Sequence, residues 1–398
     1  MDQAPGAEIT DTVAAAPVTR LSPVADPAKV PRWPSWRRRK IRLLASPSFQ
    51  RWAAASPLMR RMTRGPTEAL FDIAAGFAYA QVLSACVRLH LLELLEPGPL
   101  ATPEIAHSLD IRPDAAGRLL RAAAALGLID PASGGRYALG TLGAAVLGNP
   151  GLAALIDHQT LLYADLADPV KLLRREDPHP KVATFYPYAG NPTPTSLSPT
   201  QVAPYSGLMA ATNRLVADQV LAAYRVARHA KLLDIGGGEG TFLRTVARRA
   251  PRLHLALFEL PAVAERARAR LAAADLMGRT ELFAGDYLHD KLPPDCDLIS
   301  LLRVVQGLDD TEAMLLLRNI RRAIPPGGTL LLAEPMAGAH GAPRAADAYF
   351  GFYLMAMGTG RPRTSETLCE MLLLAGFTKA KPVKTGAPAL TGLVVAKG

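Results

Sequence analysis

The chain has 398 residues, 49% of them apolar and 20% charged, which is an ordinary balance for a globular protein and too long for one comfortable core. Its three cysteines, Cys86, Cys296 and Cys369, are far apart and lack histidines at ligand spacing. A disulfide framework or a zinc site is therefore not expected, and a reducing, cytosolic compartment fits. The formal net charge of +10 is concentrated, because eleven Lys and Arg and no acid lie between Lys29 and Arg64.

Taken in chain order, residues 1–30 carry Asp2, Glu8, Asp11 and Asp26 among prolines and glycines, and read as a disordered tail rather than a signal peptide. Residues 31–65 form a basic arm that, with Trp33, Trp36 and Trp52, holds all three tryptophans of the chain. Cations mixed with Trp36, Ile41, Leu43, Leu44, Phe49 and Met59 suit a peripheral membrane surface, reached through residues 29–64. Nucleic acid would attract the same cations, and an arm packed on its own protein or on a dimer mate is the plainer alternative. No nucleic-acid partner is expected. No run of 18 uncharged apolar residues occurs, so no membrane span is expected either.

Residues 66–176 form the next domain. Leu70, Ile73, Phe77, Ala80, Leu83, Val87, Leu91 and Leu94 predict one helix over 66–95, stopped by Pro97-Gly98-Pro99. Thr102, read as an N-cap, opens a short helix, and a second runs from Ala115 to Leu126. A hairpin follows, with Ser133-Gly134-Gly135 at its tip. Helix, turn, helix and hairpin make a winged-helix arrangement. The second helix is mostly alanine and leucine, which favours dimerisation over DNA reading. Seven prolines between Asp177 and Pro204 suggest an irregular connector, and a helix resumes at Tyr205 to complete a 177–229 segment.

From residue 230 strand and helix alternate, with strands expected at 231–235, 253–259, 280–284, 297–303, 329–333, 379–384 and 390–396. The last two can pair as a hairpin. The fold class is therefore α/β: a Rossmann-like domain whose seven-stranded sheet ends in an antiparallel strand, preceded by a helical winged-helix domain. In Leu232-Leu233-Asp234-Ile235-Gly236-Gly237-Gly238-Glu239-Gly240 a strand ends in a glycine turn, where backbone can approach a ligand. Thr241 replaces the third glycine of a dinucleotide fingerprint. Asp234, joined by Glu239, would repel a pyrophosphate and suits a ligand with an ammonium and a sulfonium, which describes S-adenosylmethionine. Glu259 ends the next strand, where an acid can accept from both ribose hydroxyls. Asp286 can accept from an adenine amino group, and Tyr287 can cover the ring.

The pieces LLDIGGGEG, FELP, AGDYL, LLAEPM and GTGRPRT make residues 70–396 resemble the plant-type and bacterial small-molecule O-methyltransferases. That resemblance implies a homodimer and a cofactor site of Asp234, Gly236, Glu259 and Asp286, with no metal; Gly238, Tyr287 and Arg303 are further candidates for the same site. Within the group, WRRRKIRLLASPSFQRWAAASPL, FDIAAGFAYAQVLSACVRL and FGFYLMAMGTGRPRT are similar to bacterial enzymes that methylate acyclic hydroxycarotenoids of the demethylspheroidene and hydroxyneurosporene kind. This implies a lipophilic substrate and a place in carotenoid biosynthesis on a photosynthetic membrane. The chain departs from the group's pattern where a histidine base is usual, and Gln306 stands there; Pro362 stands where a second glutamate is common. Gln306 and the retained Glu334 are the candidate catalytic residues. Met209, Tyr353 and Met357 are the candidate substrate contacts. An O-methyltransferase of aromatic polyketides or other phenols, and a winged-helix regulator without catalysis, remain open alternatives.

Overall fold

The computed structural model describes residues 34–188, 191–338, 344–388 and 390–398. The expected tail over 1–30, with Lys29 and Trp33, lies outside them. The chain divides into two compact units, 1–77 and 78–398.

In the first unit the arm forms the helices Ser35–Leu44 and Pro47–Ala55. Ser46 caps the second by accepting from the Phe49 amide at 3.4 Å, with Pro47 at the first helical position, where no amide hydrogen is needed. The first helix buries no residue, and Trp36 and Trp52 are 65% and 57% exposed. A long helix, Pro57–Arg88, carries Pro66 inside it. The helix expected to begin at 66 therefore begins nine residues earlier. It also ends sooner than expected. His90 takes a left-handed conformation (φ 56°), and a separate helix, Leu91–Leu95, turns Leu91, Leu92 and Leu95 into the core. From Gly65 on, the long helix is long and apolar enough to cross a membrane by length and composition. Two acids, Glu68 and Asp72, interrupt its sequence. Leu70, Phe71, Ile73 and Phe77 are exposed on it.

In the second unit β1 (Leu100–Ala101), β2 (Ile129–Ala132) and β3 (Arg136–Leu139) form an antiparallel sheet in the order β1-β3-β2. Helices Thr102–Ser108 and Pro113–Ala125 pack beside it, so the winged-helix arrangement is present. Thr102 lies inside its helix instead of capping it. Ala101 stands at the cap, and the Glu104 carboxylate satisfies the Ala101 amide at 2.7 Å. Ala116, Leu120 and Ala123 of the alanine-rich helix are buried with Leu92, Leu95 and Ile105.

The connector is more ordered than its prolines suggest. It holds a short helix, Lys181–Phe185, and the next helix runs Pro199–Ala223 instead of starting at Tyr205. Pro199 sits at the first helical position, Ser198 and Gln201 cap each other reciprocally, and Pro204 falls within the first two turns.

The large sheet comprises β4 (Lys231–Ile235), β5 (His254–Glu259), β6 (Thr280–Ala284), β7 (Leu298–Leu302), β8 (Thr329–Glu334), β9 (Lys379–Val383) and β10 (Gly392–Lys397). Their order is β6-β5-β4-β7-β8-β10-β9, with β10 antiparallel to both neighbours. The pleat sends Leu233 and Ile235 towards helices Asp310–Ala323 and Ser365–Leu374, and Leu232 towards Thr241–Arg249 and Pro261–Ala272. Both faces are thus covered, which is why β7 and β8 are buried from end to end. The order reverses between β4 and β7. A crevice opens there at the carboxyl ends of the strands, and that is where ligands bind in such sheets.

Candidate active site

The glycine turn after β4 is shaped by two constraints. Gly236 has φ 64°, and a Cβ on it would come within 2.7 Å of Val304. Gly237 has no room for a Cβ, which would lie 2.2 Å from Asp234 Oδ2. The loop is therefore pressed directly onto the acid that precedes it. Asp234 is buried; Ser300 donates to its Oδ1 at 2.6 Å, and Oδ2 has no partner. Burial pushes its carboxyl up to about 7, against the opposing Ser300 bond.

A cavity of about 380 Å³ opens in front of this loop. Gly236, Gly238, Glu259, Asp286, Tyr287 and Arg303 line it, so six of the seven expected cofactor residues converge on one space. Asp234 is the exception, since it lies beneath the loop. Glu259 accepts from the Gly238 amide at 3.0 Å and from the Leu260 amide at 2.7 Å. Burial raises it to about 7 in spite of those bonds. Asp286 accepts from the Leu288 amide at 2.9 Å, and its other oxygen is 2.8 Å from His289 Nδ1. Each carboxylate still has lone pairs for a ligand. Glu239 takes no part in this wall. Arg266 Nε and Arg270 Nε bond it at 2.8 and 3.2 Å, which corrects the expectation that its charge faces the ligand.

The opposite lip follows β7. Arg303 is left-handed (φ 59°), a strained state for a non-glycine residue, and such strain gathers at functional sites. Its guanidinium donates to Thr212 Oγ1 at 2.7 Å and Asn213 Oδ1 at 3.2 Å on helix Pro199–Ala223. Gln306 lies on the cavity wall, and its buried Oε1 has no partner. Glu334 does not reach the cavity. Its Oε1 accepts from the Val304 and Val305 amides at 3.1 and 2.8 Å, so it holds the turn that carries Gln306. Burial lifts Glu334 to about 8. Behind the same turn, buried Arg363 donates to the carbonyls of Val305 and Leu308, both at 2.8 Å, and to Asp310.

Met209, Tyr353 and Met357 all line the cavity. Residues 344–357 form a π-helix, Arg344–Phe350, continued by an α-helix, Gly351–Met357. It brings Tyr349, Phe350, Tyr353, Leu354 and Met357 to one wall. Sequence reasoning missed Tyr186, Tyr188 and Tyr205. They line the same cavity with ring centroids 4.9 to 5.6 Å apart in edge-to-face contacts. The signal that could have found the first two is the FYPY run in the proline-rich segment. Among the described residues no three His, Cys, Asp or Glu gather as a metal site.

Residues 163–378 match the O-methyltransferase domain, and residues 71–149 match the O-methyltransferase dimerisation domain. The chain belongs to this O-methyltransferase family and is an S-adenosylmethionine-dependent enzyme of that class. The demethylspheroidene O-methyltransferase of Cereibacter sphaeroides is 41% identical to it, over 86% of this chain and 89% of that protein. The one from Rhodobacter capsulatus is 40% identical, over 86% and 84%. Human N-acetylserotonin methyltransferase, solved in complex with SAM, shares the fold with a TM-score of 0.71 at 23% identity, covering 83% of this chain and 97% of that one. A calicheamicin-biosynthesis methyltransferase solved with SAH bound gives 0.69 at 26%, covering 84% and 98%.

Proposed function

We propose that the enzyme methylates the tertiary hydroxyl of an acyclic hydroxycarotenoid, as a homodimer at a membrane surface. The observation that carries this reading is the wall facing the glycine loop. Among the described residues this wall offers aromatic rings, methionines and one unpartnered amide oxygen, and the histidine that lines the cavity, His289, is bonded to Asp286 on the loop side. The two relatives named for demethylspheroidene support the same substrate class.

Bound S-adenosylmethionine supplies an electrophilic methyl group on a sulfonium. The buried, unpartnered Oδ2 of Asp234 and the acids Glu259 and Asp286 make the loop side of the cavity electronegative, which fits a cationic ligand. Glu259 and Asp286 would hold hydroxyl and amino donors. Tyr287 would cover a flat ring, and Gly236 and Gly238 let the backbone come close. Arg303 is the guanidinium on this wall and suits the ligand's carboxylate.

A tertiary aliphatic alcohol is too weak an acid for an imidazole to deprotonate beforehand. Its oxygen attacks as a neutral nucleophile and loses the proton late. The protein's task is then alignment, and such positioning can supply roughly 7–11 kcal/mol. Gln306 Oε1 orients the hydroxyl by accepting from it.

Mass spectrometry of the products formed from an acyclic hydroxycarotenoid and, in parallel, from a panel of phenols tests the substrate. Methyl transfer to phenols alone would overturn the reading. In the carotenoid assay Gln306→His should not raise turnover, and Gln306→Ala should lower it by no more than about tenfold, since one neutral hydrogen bond is worth roughly 0.5–1.5 kcal/mol. Loss of all turnover in Gln306→Ala, with both ligands still bound, would make this side chain a chemical participant.

The membrane reading rests on the basic helix Ser35–Leu44 with its exposed Trp36, Ile41, Leu43 and Leu44. Each base near an anionic surface contributes about 1 kcal/mol. Changing Arg37, Arg38, Arg39 and Lys40 together to glutamine should release the protein from phosphatidylserine vesicles in a sedimentation assay, and high salt should release the unaltered protein. Sedimentation unchanged by either would remove the arm as the anchor. The partner subunit is assigned to the apolar residues Phe71, Ile73 and Phe77, which fall inside the matched dimerisation domain.

A further inference from the structure

His158 lies on helix Pro150–Asp165 and is 8% exposed. Its ring packs 4.6 Å from that of Phe185, and its Nε2 is 2.9 Å from Tyr353 Oη. The next residue, Gln159, donates to Tyr349 Oη at 2.9 Å. Two consecutive side chains thus engage two phenols on the segment that forms the apolar wall. Around the pair lie Leu162, Leu172, Val182, Leu354 and Met357, a setting in which polar groups are costly unless they are bonded. Tyr353 shares the cavity wall with Gln306, and His158 stands behind it, off the wall.

We propose that Tyr353 and His158 form the proton exit of the methyl transfer, an inference that rests on the hydroxycarotenoid reading. As the new carbon–oxygen bond forms, the carbon–sulfur bond breaks and its electron pair stays on sulfur. The substrate oxygen then carries three bonds, a positive charge and its original proton. That proton passes to Tyr353 Oη while the proton of Tyr353 passes to His158 Nε2. A neutral ether, a neutral thioether, a neutral tyrosine and an imidazolium result. A protonated ether is a very strong acid, so a weak base suffices to receive its proton. The base is needed late in the reaction and does not have to generate an alkoxide.

The electrostatics agree with these roles. Burial pushes the Tyr353 phenol up to about 12, so it conducts a proton without ionising. Burial also holds the His158 imidazole below its usual value, partly opposed by Asp157, and leaves it neutral and able to accept. The groups facing the imidazole are Asp157 on its own helix and Tyr353 across from it, with Tyr349 beside Tyr353. Phe185 on the third side carries no charge, and Tyr205 lies beyond it. Arg303 acts on Tyr353 from the end of β7.

The test uses full-length protein, S-adenosylmethionine and the hydroxycarotenoid, with Tyr353→Phe and His158→Gln. Glutamine can still bond the phenol but cannot take a proton, so it retains a merely structural role. Both variants should lose roughly 10²–10⁴-fold in kcat, the range of general acid–base catalysis, with KM and cofactor Kd unchanged. The wild-type kcat should fall as pH drops through the imidazole titration, and that limb should vanish in His158→Gln. Without substrate or cofactor, the His158 ring proton followed by NMR should titrate below the ordinary imidazole value, and Tyr353→Phe should move that midpoint. Full kcat and an intact acid limb in both variants would overturn the proposal. If the wild type methylates phenols alone, the substrate reading fails separately, and the same limb measured on a phenol decides the relay.

Discussion

Glu259→Ala should weaken S-adenosylmethionine binding by roughly 10- to 150-fold in titration calorimetry. The carboxylate is buried on the cavity wall, and each charge-assisted hydrogen bond it gives a ligand is worth roughly 1.5–3 kcal/mol. The substitution also frees the Gly238 amide, which loosens the turn the cofactor rests on. Asp234→Ala should weaken binding less directly, because Asp234 acts from beneath the loop. Both acids are raised to about 7 by burial, and each raises the other or is raised by it through charge proximity. A cationic ligand favours their ionised forms, so affinity should climb as pH rises through about 7 and level off above it. The sign for the ligand-free protein is opposite. A carboxyl whose folded pKa lies above its unfolded value of 4.5 contributes stability that is present below 4.5 and is lost as pH rises through about 7. The melting temperature of the ligand-free enzyme should therefore fall between pH 5 and pH 8, and cofactor should narrow the gap. Unchanged affinity in Glu259→Ala would remove this residue from the cofactor site.

The α/β half was legible because its signals are local. Buried parallel strands read as short apolar runs, and the LLDIGGGEG turn announces a close ligand approach by its glycines alone. Each expected strand is present to within two residues. What could not be read depends on partners far away in the chain. Glu239 looked like a ligand acid, but Arg266 and Arg270 on the following helix neutralise it. The tyrosines at 186 and 188 sit in a proline-rich stretch with no periodicity to assign them a face. His158 looks like any core histidine until helix Gly351–Met357 is placed against it. The start of the long helix was missed because Pro66 reads as a boundary. One proline costs a helix about 3 kcal/mol, and the tertiary setting can override that.

Arg363→Met is expected to destabilise the enzyme by roughly 1–3 kcal/mol and to lower kcat more than it raises KM. Arg363 is 5% exposed, and its guanidinium binds the Val305 and Leu308 carbonyls as well as Asp310. Methionine fills the space but leaves the buried Leu308 carbonyl without its donor, at a cost of roughly 1–3 kcal/mol, while the Val305 carbonyl keeps the Leu308 amide at 3.1 Å. The Asp310 pair adds little, since that carboxylate is half exposed and Arg361 remains beside it. The catalytic effect follows from what the clamp holds. The 305–308 turn carries Gln306, and it is held as well by Glu334 on the Val304 and Val305 amides, by the Arg361 amide on the Gln306 carbonyl at 2.9 Å and by Thr359 Oγ1 on the Gly307 carbonyl at 3.1 Å. Without Arg363 the turn loses its buried clamp on Val305 and Leu308, so Gln306 Oε1 is held less firmly for the substrate hydroxyl. Arg363→Lys should recover only part of the loss, because a lysine ammonium cannot reproduce the planar fork that reaches both carbonyls. Urea denaturation measures the first effect and steady-state kinetics the second. A variant with wild-type midpoint and kcat would show that the Arg363 clamp does not position the turn.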